Sequence, residues 1–172
     1  MLANILLGIT LPLAHKPTGN IMKKLKALTL TVLLSLVAIS SQAADGFVSL
    51  KSPYSAAVTM DRLEVIGKQK GLNVFARIDH AAGAAKIGKT LRPTELLIFG
   101  NAQGGTPFME CAQSVGIDLP LKALTWEDSA GQVWISYNDP EYLAKRHAVS
   151  DCPVVANLKK ALSGFAEATV AK

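Results

Sequence analysis

Residues 72–79 alternate between apolar and polar side chains, and the apolar set is Leu72, Val74, Ala76 and Ile78. A period of two predicts a β-strand with one buried face. Residues 95–100 form a nearly continuous apolar run, which is typical of a central strand covered on both faces. Residues 47–51 predict a short first strand.

Other segments follow the helical period. Ser55 is placed to cap a helix that ends near Gly71, and its apolar stripe consists of Ala56, Met60, Leu63 and Gly67. Residues 81–88 are rich in small side chains and predict a helical turn. Residues 153–167 predict a C-terminal helix with apolar side chains along one side.

Two further helices are predicted by their first residues. Thr106 can cap a helix with Pro107 at its first position, where a missing N–H costs nothing. Asp139 and Pro140 repeat this signal. The basic residues 145–147 would end that second helix at the negative end of its dipole.

A β-hairpin is predicted from residues 121–127 and 132–137, joined by a loop that ends at Gly131. Taken together, these elements predict an α+β protein. We expect a single compact two-layer domain with a mixed sheet, a hairpin in its C-terminal half and packed helices.

Residues 22–43 have the order of a secretory signal peptide: basic residues after Met22, an apolar run over residues 27–39, and small residues at Ser41 and Ala43. The apolar run is shorter than the roughly 20 residues that span a membrane. We therefore expect a periplasmic or secreted protein without a stable membrane anchor after cleavage. Residues 1–21 are interpreted as a leader extension or a misassigned start.

Cleavage changes the charge of the protein. The full chain has 18 basic and 13 acidic residues. Four of the lysines precede residue 44, so the mature chain has 18 − 4 = 14 basic residues and a net charge of 14 − 13 = +1. The high isoelectric point belongs largely to the leader, and nucleic acid is not an expected partner. Residues 44–172 form a single domain of 172 − 43 = 129 residues.

Five blocks carry a family resemblance: NVFARIDHAAGAAKIG, LRPTELLIFGN, GTPFM, DLPLKALTWED and VWISYNDPEYLAKRH. They resemble the domain of unknown function family 302 from about Tyr54 to His147. The resemblance implies a compact α+β domain that associates as a homodimer, and it implies no reaction. The chain departs from the family at Ala102, where a proline is common, and at Cys111 and Cys152, which lie outside the family motif.

Asp79 and His80 come at the end of a predicted strand, where ligand groups often gather. An imidazole beside a carboxylate can act as a base. The structural alternative is that Asp79 caps the following turn and His80 is a surface residue.

Residues 101–106, which include Asn101 and Thr106, follow a strand and open a helix, so their backbone N–H groups could hold an anion. The alternative is a tight turn without a ligand. Trp134 and Tyr137 lie on opposite faces of one predicted strand, and local structure does not explain them. The chain has no cofactor fingerprint and no short metal-binding spacing, so we expect neither cofactor nor metal.

Two functions remain in view. The first is an exported binding or interaction module, a dimer that takes an unknown small ligand near His80, Asn101 and the hairpin. The second is a small hydrolase or isomerase that uses Asp79 and His80 as acid and base. The absence of a nucleophile motif favours the first.

Cys111 and Cys152 are predicted to form a disulfide, because an exported protein tends to pair its two cysteines. The alternative is two separate thiols, since sequence alone does not show geometry.

The leader generates the first testable prediction. N-terminal sequencing of the exported protein should begin at Ala44, because the signal peptide is expected to end at Ala43. A mature end before Ser41, or recovery of the apolar run in the membrane fraction, would contradict export by cleavage.

Overall fold

The computed structural model describes residues 46–172. The expectations for residues 1–21 and for the signal peptide at residues 22–43 lie outside the described residues. The elements in chain order are β1 (Phe47–Ser52), α1 (Ala56–Gln69), β2 (Asn73–Asp79), α2 (His80–Ala85), β3 (Thr94–Gly100), α3 (Ala102–Cys111), a 3-10 turn (Gln113–Ile117), β4 (Leu121–Glu127), β5 (Val133–Asn138), α4 (Pro140–Arg146) and α5 (Val154–Val170).

The five strands form one sheet in the order β1-β5-β4-β3-β2, and every neighbouring pair is antiparallel. The α+β class is confirmed, but the prediction of a mixed sheet is wrong. An alternation of helices and strands in the sequence does not show whether a connection crosses the length of the sheet, which parallel neighbours require, or returns at the same end, as antiparallel neighbours allow. Asp79 at the end of β2 pairs with Glu95 near the start of β3. The connection through α2 therefore returns the chain to the end of the sheet where β2 stops, and β3 runs antiparallel to β2.

The main core lies between one face of the sheet and the two long helices, α1 and α5. Met60 and Leu63 of α1 are fully buried against Leu97 and Phe99 of β3. Phe165 of α5 meets Phe99 edge to face, with ring centroids 5.2 Å apart. Both long helices pack on this face, so the main core lies between one layer of helices and one layer of strands.

A β-bulge changes which side chains of β2 are buried. Val74 pairs with Phe99, but the register then shifts, so that Arg77 pairs with Leu97 on the helix-covered face. The expectation that all four apolar residues share one face is therefore wrong, because a bulge inserts one extra residue and reverses the alternation. Arg77 binds Glu95 and Asp61, and these bonds raise its pKa, with the Glu95 bond as the largest cause.

Two of the predicted helix starts are confirmed, and the third prediction is wrong. Ser55 caps α1, and Asp139 caps α4 with Pro140 at its first position. However, α3 begins at Ala102, because the side chain of Asn101 accepts a hydrogen bond from the N–H of Gly104. Thr106 and Pro107 consequently lie inside this helix.

The strand predicted over residues 95–100 is paired on both sides as β3, but only one of its faces is covered by the long helices. The alternate side chains Leu96 and Ile98 are only half-buried. The prediction of cover on both faces is therefore wrong for the part of the chain that the structure describes.

Cys111 ends α3, and Cys152 lies just before α5, where it is buried in a second apolar cluster with Phe108 and Leu143. The two Cα atoms are 6.0 Å apart in disulfide geometry, within the usual range for a bonded pair. The bond would join α3 to the start of α5 across a sequence separation of 41 residues.

A second testable prediction follows from this loop. Chain entropy for a loop of this size predicts that reduction lowers the free energy of unfolding by roughly 4 kcal/mol. Urea unfolding with and without reductant measures the difference. The variant with Cys111→Ser and Cys152→Ser is the control and should not respond to reductant. A wild-type response below about 1 kcal/mol would contradict a stabilising bond.

Candidate functional site

A cavity of about 420 Å³ lies where β3 ends and α3 begins. Its walls come from β2, α3, α5 and the segment between the 3-10 turn and β4. Most of the side chains that line it are apolar: Leu72, Phe75, Met109, Leu119, Leu121 and Leu158. This size and composition are within the range of small-molecule sites in proteins.

Glycines bring backbone close to the cavity on the α3 side. A Cβ atom on Gly104 would lie 3.1 Å from Leu158 Cδ2, closer than ordinary van der Waals contact, so glycine lets α3 approach α5. A Cβ atom on Gly105 would lie 3.6 Å from Leu119 Cδ1, an ordinary contact distance. Gly105 therefore tolerates a side chain, and that side chain would occupy the cavity.

Asn101 and Thr106, two of the predicted site residues, both line this cavity. The Asn101 Oδ1 atom accepts from Gly104 N at 3.0 Å, and its Nδ2 group donates to Gly71 O at 3.4 Å. The fold thus uses both ends of the amide, whereas Thr106 is exposed. No charged side chain is part of the lining among residues 46–172. An uncharged, largely apolar ligand suits such walls better than an anion.

Asp79 and His80 do not line the cavity. The Asp79 Oδ1 atom accepts from Ala82 N at 2.8 Å and caps α2, while His80 is the exposed first residue of that helix. One carboxylate oxygen is therefore engaged in the fold. The acid–base role for this pair stays a prediction.

Trp134 and Tyr137 lie on opposite faces of β5. The Trp134 indole donates to Asp128 Oδ2 at 2.8 Å and stacks on Trp126, with ring centroids 6.2 Å apart. This indole bond is the largest cause of the lowered pKa of Asp128. Tyr137 is buried among the core residues, and burial raises the pKa of its hydroxyl. The structure thus separates these two residues and gives each a place in the fold.

A chain of polar side chains that was not predicted joins Ser114, His147 and Asp118. Ser114 Oγ lies 2.9 Å from His147 Nδ1, and His147 Nε2 lies 2.7 Å from Asp118 Oδ2. Sequence reasoning treated His147 only as the basic end of a helix. Its partners are 33 and 29 residues away along the chain, so no local spacing pointed to them.

No three metal-binding side chains cluster within residues 46–172. In the same range, none of the helices combines the length and the apolar character that crossing a membrane requires.

Comparison with known proteins supports the fold. A family model described as "Domain of unknown function DUF302" matches residues 48–165. The crystal structure of an uncharacterized conserved DUF302 protein from Bacillus stearothermophilus superposes with a TM-score of 0.66. The superposition covers 73% of this chain and 99% of that chain at 21% identity.

Relatives with higher identity come from Brucella. Two proteins called fluoride-specific ion channel FluC 1, from Brucella suis biovar 1 and Brucella abortus biovar 1, are 49% identical over 105 residues. The match covers 61% of this chain but 41% and 39% of those proteins. The chain thus spans about two fifths of the length of these relatives.

Proposed function

The chain belongs to the family of domain of unknown function DUF302, and from this premise we propose that it is an exported binding module for a small, uncharged ligand. The observation that carries the proposal is the cavity of about 420 Å³ beside the start of α3. The signal-peptide pattern of residues 22–43 supports a periplasmic or secreted location.

The walls of the cavity select the chemistry of the ligand. Desolvating a charged group costs several kcal/mol unless a partner compensates it, and the described lining offers no charged partner. Apolar surface of the ligand would replace water against Leu119, Leu121 and Leu158. The exposed Thr106 is the residue placed to bond a single polar group of the ligand.

We do not extend fluoride conduction to this chain. The Brucella proteins that carry that name align with it over 105 residues, about two fifths of their own length. The apolar lining also offers little to a small, strongly hydrated anion.

The cavity generates a third testable prediction. Gly105→Leu should fill the cavity and weaken binding of the neutral fluorescent probe N-phenyl-1-naphthylamine by at least about tenfold, equivalent to about 1.4 kcal/mol. Fluorescence titration gives the dissociation constant, and thermal unfolding shows whether the fold is kept.

Gly164→Leu is the matched control, because Gly164 is also inside a helix and a Cβ atom there meets nothing within 4 Å. This control should bind the probe as the wild type does. Absence of saturable binding by the wild type, or equal binding by both variants, would contradict the proposal.

For the assembly, we propose a homodimer formed through the sheet face opposite α1 and α5. Strand register puts Ile78, Leu96 and Leu124 side by side on that face. The next row contains Trp126 and Trp134, which stack on each other and are flanked by Thr94 and Lys51. Neighbouring apolar side chains across three or more strands make a patch of the kind that proteins cover by association.

Part of this face is open to solvent. Ile78 is 40% exposed, while Leu96 and Leu124 are half-buried. Four strand spacings give a face about 19 Å wide. A second copy of the same flat face is an occupant of matching size and chemistry, and twofold association of identical surfaces is the commonest form of assembly.

The fourth testable prediction concerns this face. The wild type should sediment as a dimer at micromolar concentration, and Ile78→Lys should weaken the dimer at least about tenfold, because each copy would bury an unpaired charge. Val65→Lys is the matched control, since Val65 is a β-branched residue of α1 that is 53% exposed. A monomeric wild type, or equal loss in both variants, would argue against this interface.

A further inference from the structure

We propose that Ser114 is a nucleophile activated by His147, and that the protein hydrolyses esters of apolar carboxylic acids by acyl transfer through this serine. The inference goes beyond the binding function but rests on it for the acyl group, which would lie in the same cavity. The observation that carries it is the hydrogen-bonded chain Ser114–His147–Asp118.

The geometry is that of a nucleophile, a base and a group that orients the base. Ser114 Oγ is 2.9 Å from His147 Nδ1, and Asp118 Oδ2 is 2.7 Å from His147 Nε2. Both distances are within hydrogen-bonding range. The side chains of His147 and Asp118 are only 8% and 12% exposed, whereas Ser114 is exposed to solvent. The base is thus held inside the fold and the nucleophile is accessible to a substrate.

Local structure explains why these three side chains meet. Ser114 is in the 3-10 turn and Asp118 is the residue that ends it, so the two flank one short segment. His147 is the residue that ends α4, and its backbone N–H donates a hydrogen bond to Leu143 O. Cys111 lies three residues before Ser114, and Cys152 lies five residues after His147. A disulfide between the two cysteines would tie together the segments that carry Ser114 and His147.

Asp118 selects the tautomer that the reaction needs. As a carboxylate it accepts a hydrogen bond from Nε2–H of His147, which leaves the lone pair of Nδ1 directed at the Ser114 hydroxyl. Asp118 Oδ1 is itself held by Arg146 Nη1 at 2.9 Å. Asp118 is therefore a positioning residue, while Ser114 and His147 are the groups that react.

The reaction proceeds in two balanced steps. Ser114 Oγ forms a bond to the ester carbonyl carbon while its proton moves to His147 Nδ1, and the C–O bond to the alcohol breaks as the alcohol takes that proton. Water then adds to the acyl-serine carbonyl, again losing a proton to Nδ1, and the acid leaves as Ser114 regains its proton. An ester and water give an acid and an alcohol, with no further reactant.

The position of the cavity indicates the class of acyl group. Gly116 lies two residues from both Ser114 and Asp118, and it lines the cavity together with Leu119. Two residues span at most about 7 Å, so the Cα atom of Ser114 lies within that distance of a residue that lines the cavity, while Ser114 itself is outside the lining. An apolar acyl chain in the cavity would have to place its ester carbonyl carbon toward Ser114.

A purely structural role does not account for the hydrogen bond between His147 and Ser114. The bonds of Asp118 to His147 and Arg146 by themselves tie the end of α4 to the 3-10 turn. A bond to an exposed hydroxyl adds little stability, because water can replace the serine. It is, however, the bond that a serine nucleophile requires.

The reactive serine is tested first with diisopropyl fluorophosphate, a small probe that does not need the cavity. Peptide mass mapping of the full-length protein should find Ser114 labelled about 10²-fold faster than Ser150, an exposed serine nearby. Ser114→Ala should abolish this labelling and Ser150→Ala should not change it. Labelling of Ser114 at the rate of Ser150 would overturn the proposal.

The positioning role is tested with Asp118→Asn against Asp151→Asn, a matched change at an exposed carboxylate. Only Asp118→Asn should slow the labelling of Ser114 by at least about tenfold, with the thermal midpoint showing that the fold is kept. If Asp118→Asn unfolds, the comparison of Ser114 with Ser150 in the wild type still decides. Equal labelling in a folded Asp118→Asn would remove Asp118 from the mechanism.

The acyl site is tested with two chromogenic esters, p-nitrophenyl acetate and p-nitrophenyl octanoate. Gly105→Leu should reduce octanoate hydrolysis at least about tenfold more than it reduces acetate hydrolysis, because only the longer acyl chain needs the cavity. If Gly105→Leu hydrolyses both esters as fast as the wild type while Ser114 remains reactive, the result contradicts the cavity as the acyl site but not Ser114 as the nucleophile. Absence of saturable probe binding by the wild type, with Ser114 still reactive, would contradict the binding proposal instead, so the two failures are distinguishable.

Discussion

The packing of α1 and α5 against one face of the antiparallel sheet is the interaction on which the other features of the domain depend. Met60 and Leu63 are removed from water by the same face that receives Phe165. Because burial of apolar area drives folding, this layer stabilises the sheet of five strands. It also leaves the opposite face of the described domain with apolar residues that the long helices do not reach.

A second, smaller cluster organises the end of the molecule where the cavity lies. Phe108 of α3 and Leu143 of α4 are buried together with Cys152 and Val155. These contacts bring α3, α4 and the start of α5 together at the end of the sheet where β3 and β5 stop. The cavity results from that arrangement, since Gly104 allows α3 to approach α5 closely. The polar chain from Ser114 to His147 lies in the same region, so the second apolar cluster would position both the cavity and the proposed reactive groups.

Many of the conspicuous polar residues are explained by local structure, and this narrows the search for function. Asp79, Asn101 and Asp139 each accept hydrogen bonds at the start of a helix. Asp128 accepts hydrogen bonds from the backbone N–H groups of Ala130 and Gln132 and so closes the hairpin loop. The similarity to the Bacillus protein at 21% identity shows that the fold survives extensive replacement of side chains.

The sequence by itself determined what depends on near neighbours: the hairpin, the caps at Ser55 and Asp139, and the α+β class. These follow from the conformational preferences of a few adjacent residues. It also pointed to Asn101 and Thr106, because a loop between a strand and a helix is visible in local composition. Only the tertiary structure decided the antiparallel sheet, the bulge in β2 and the start of α3 before Pro107. It alone brought Ser114 to His147, since contacts between distant residues are set by how whole elements pack.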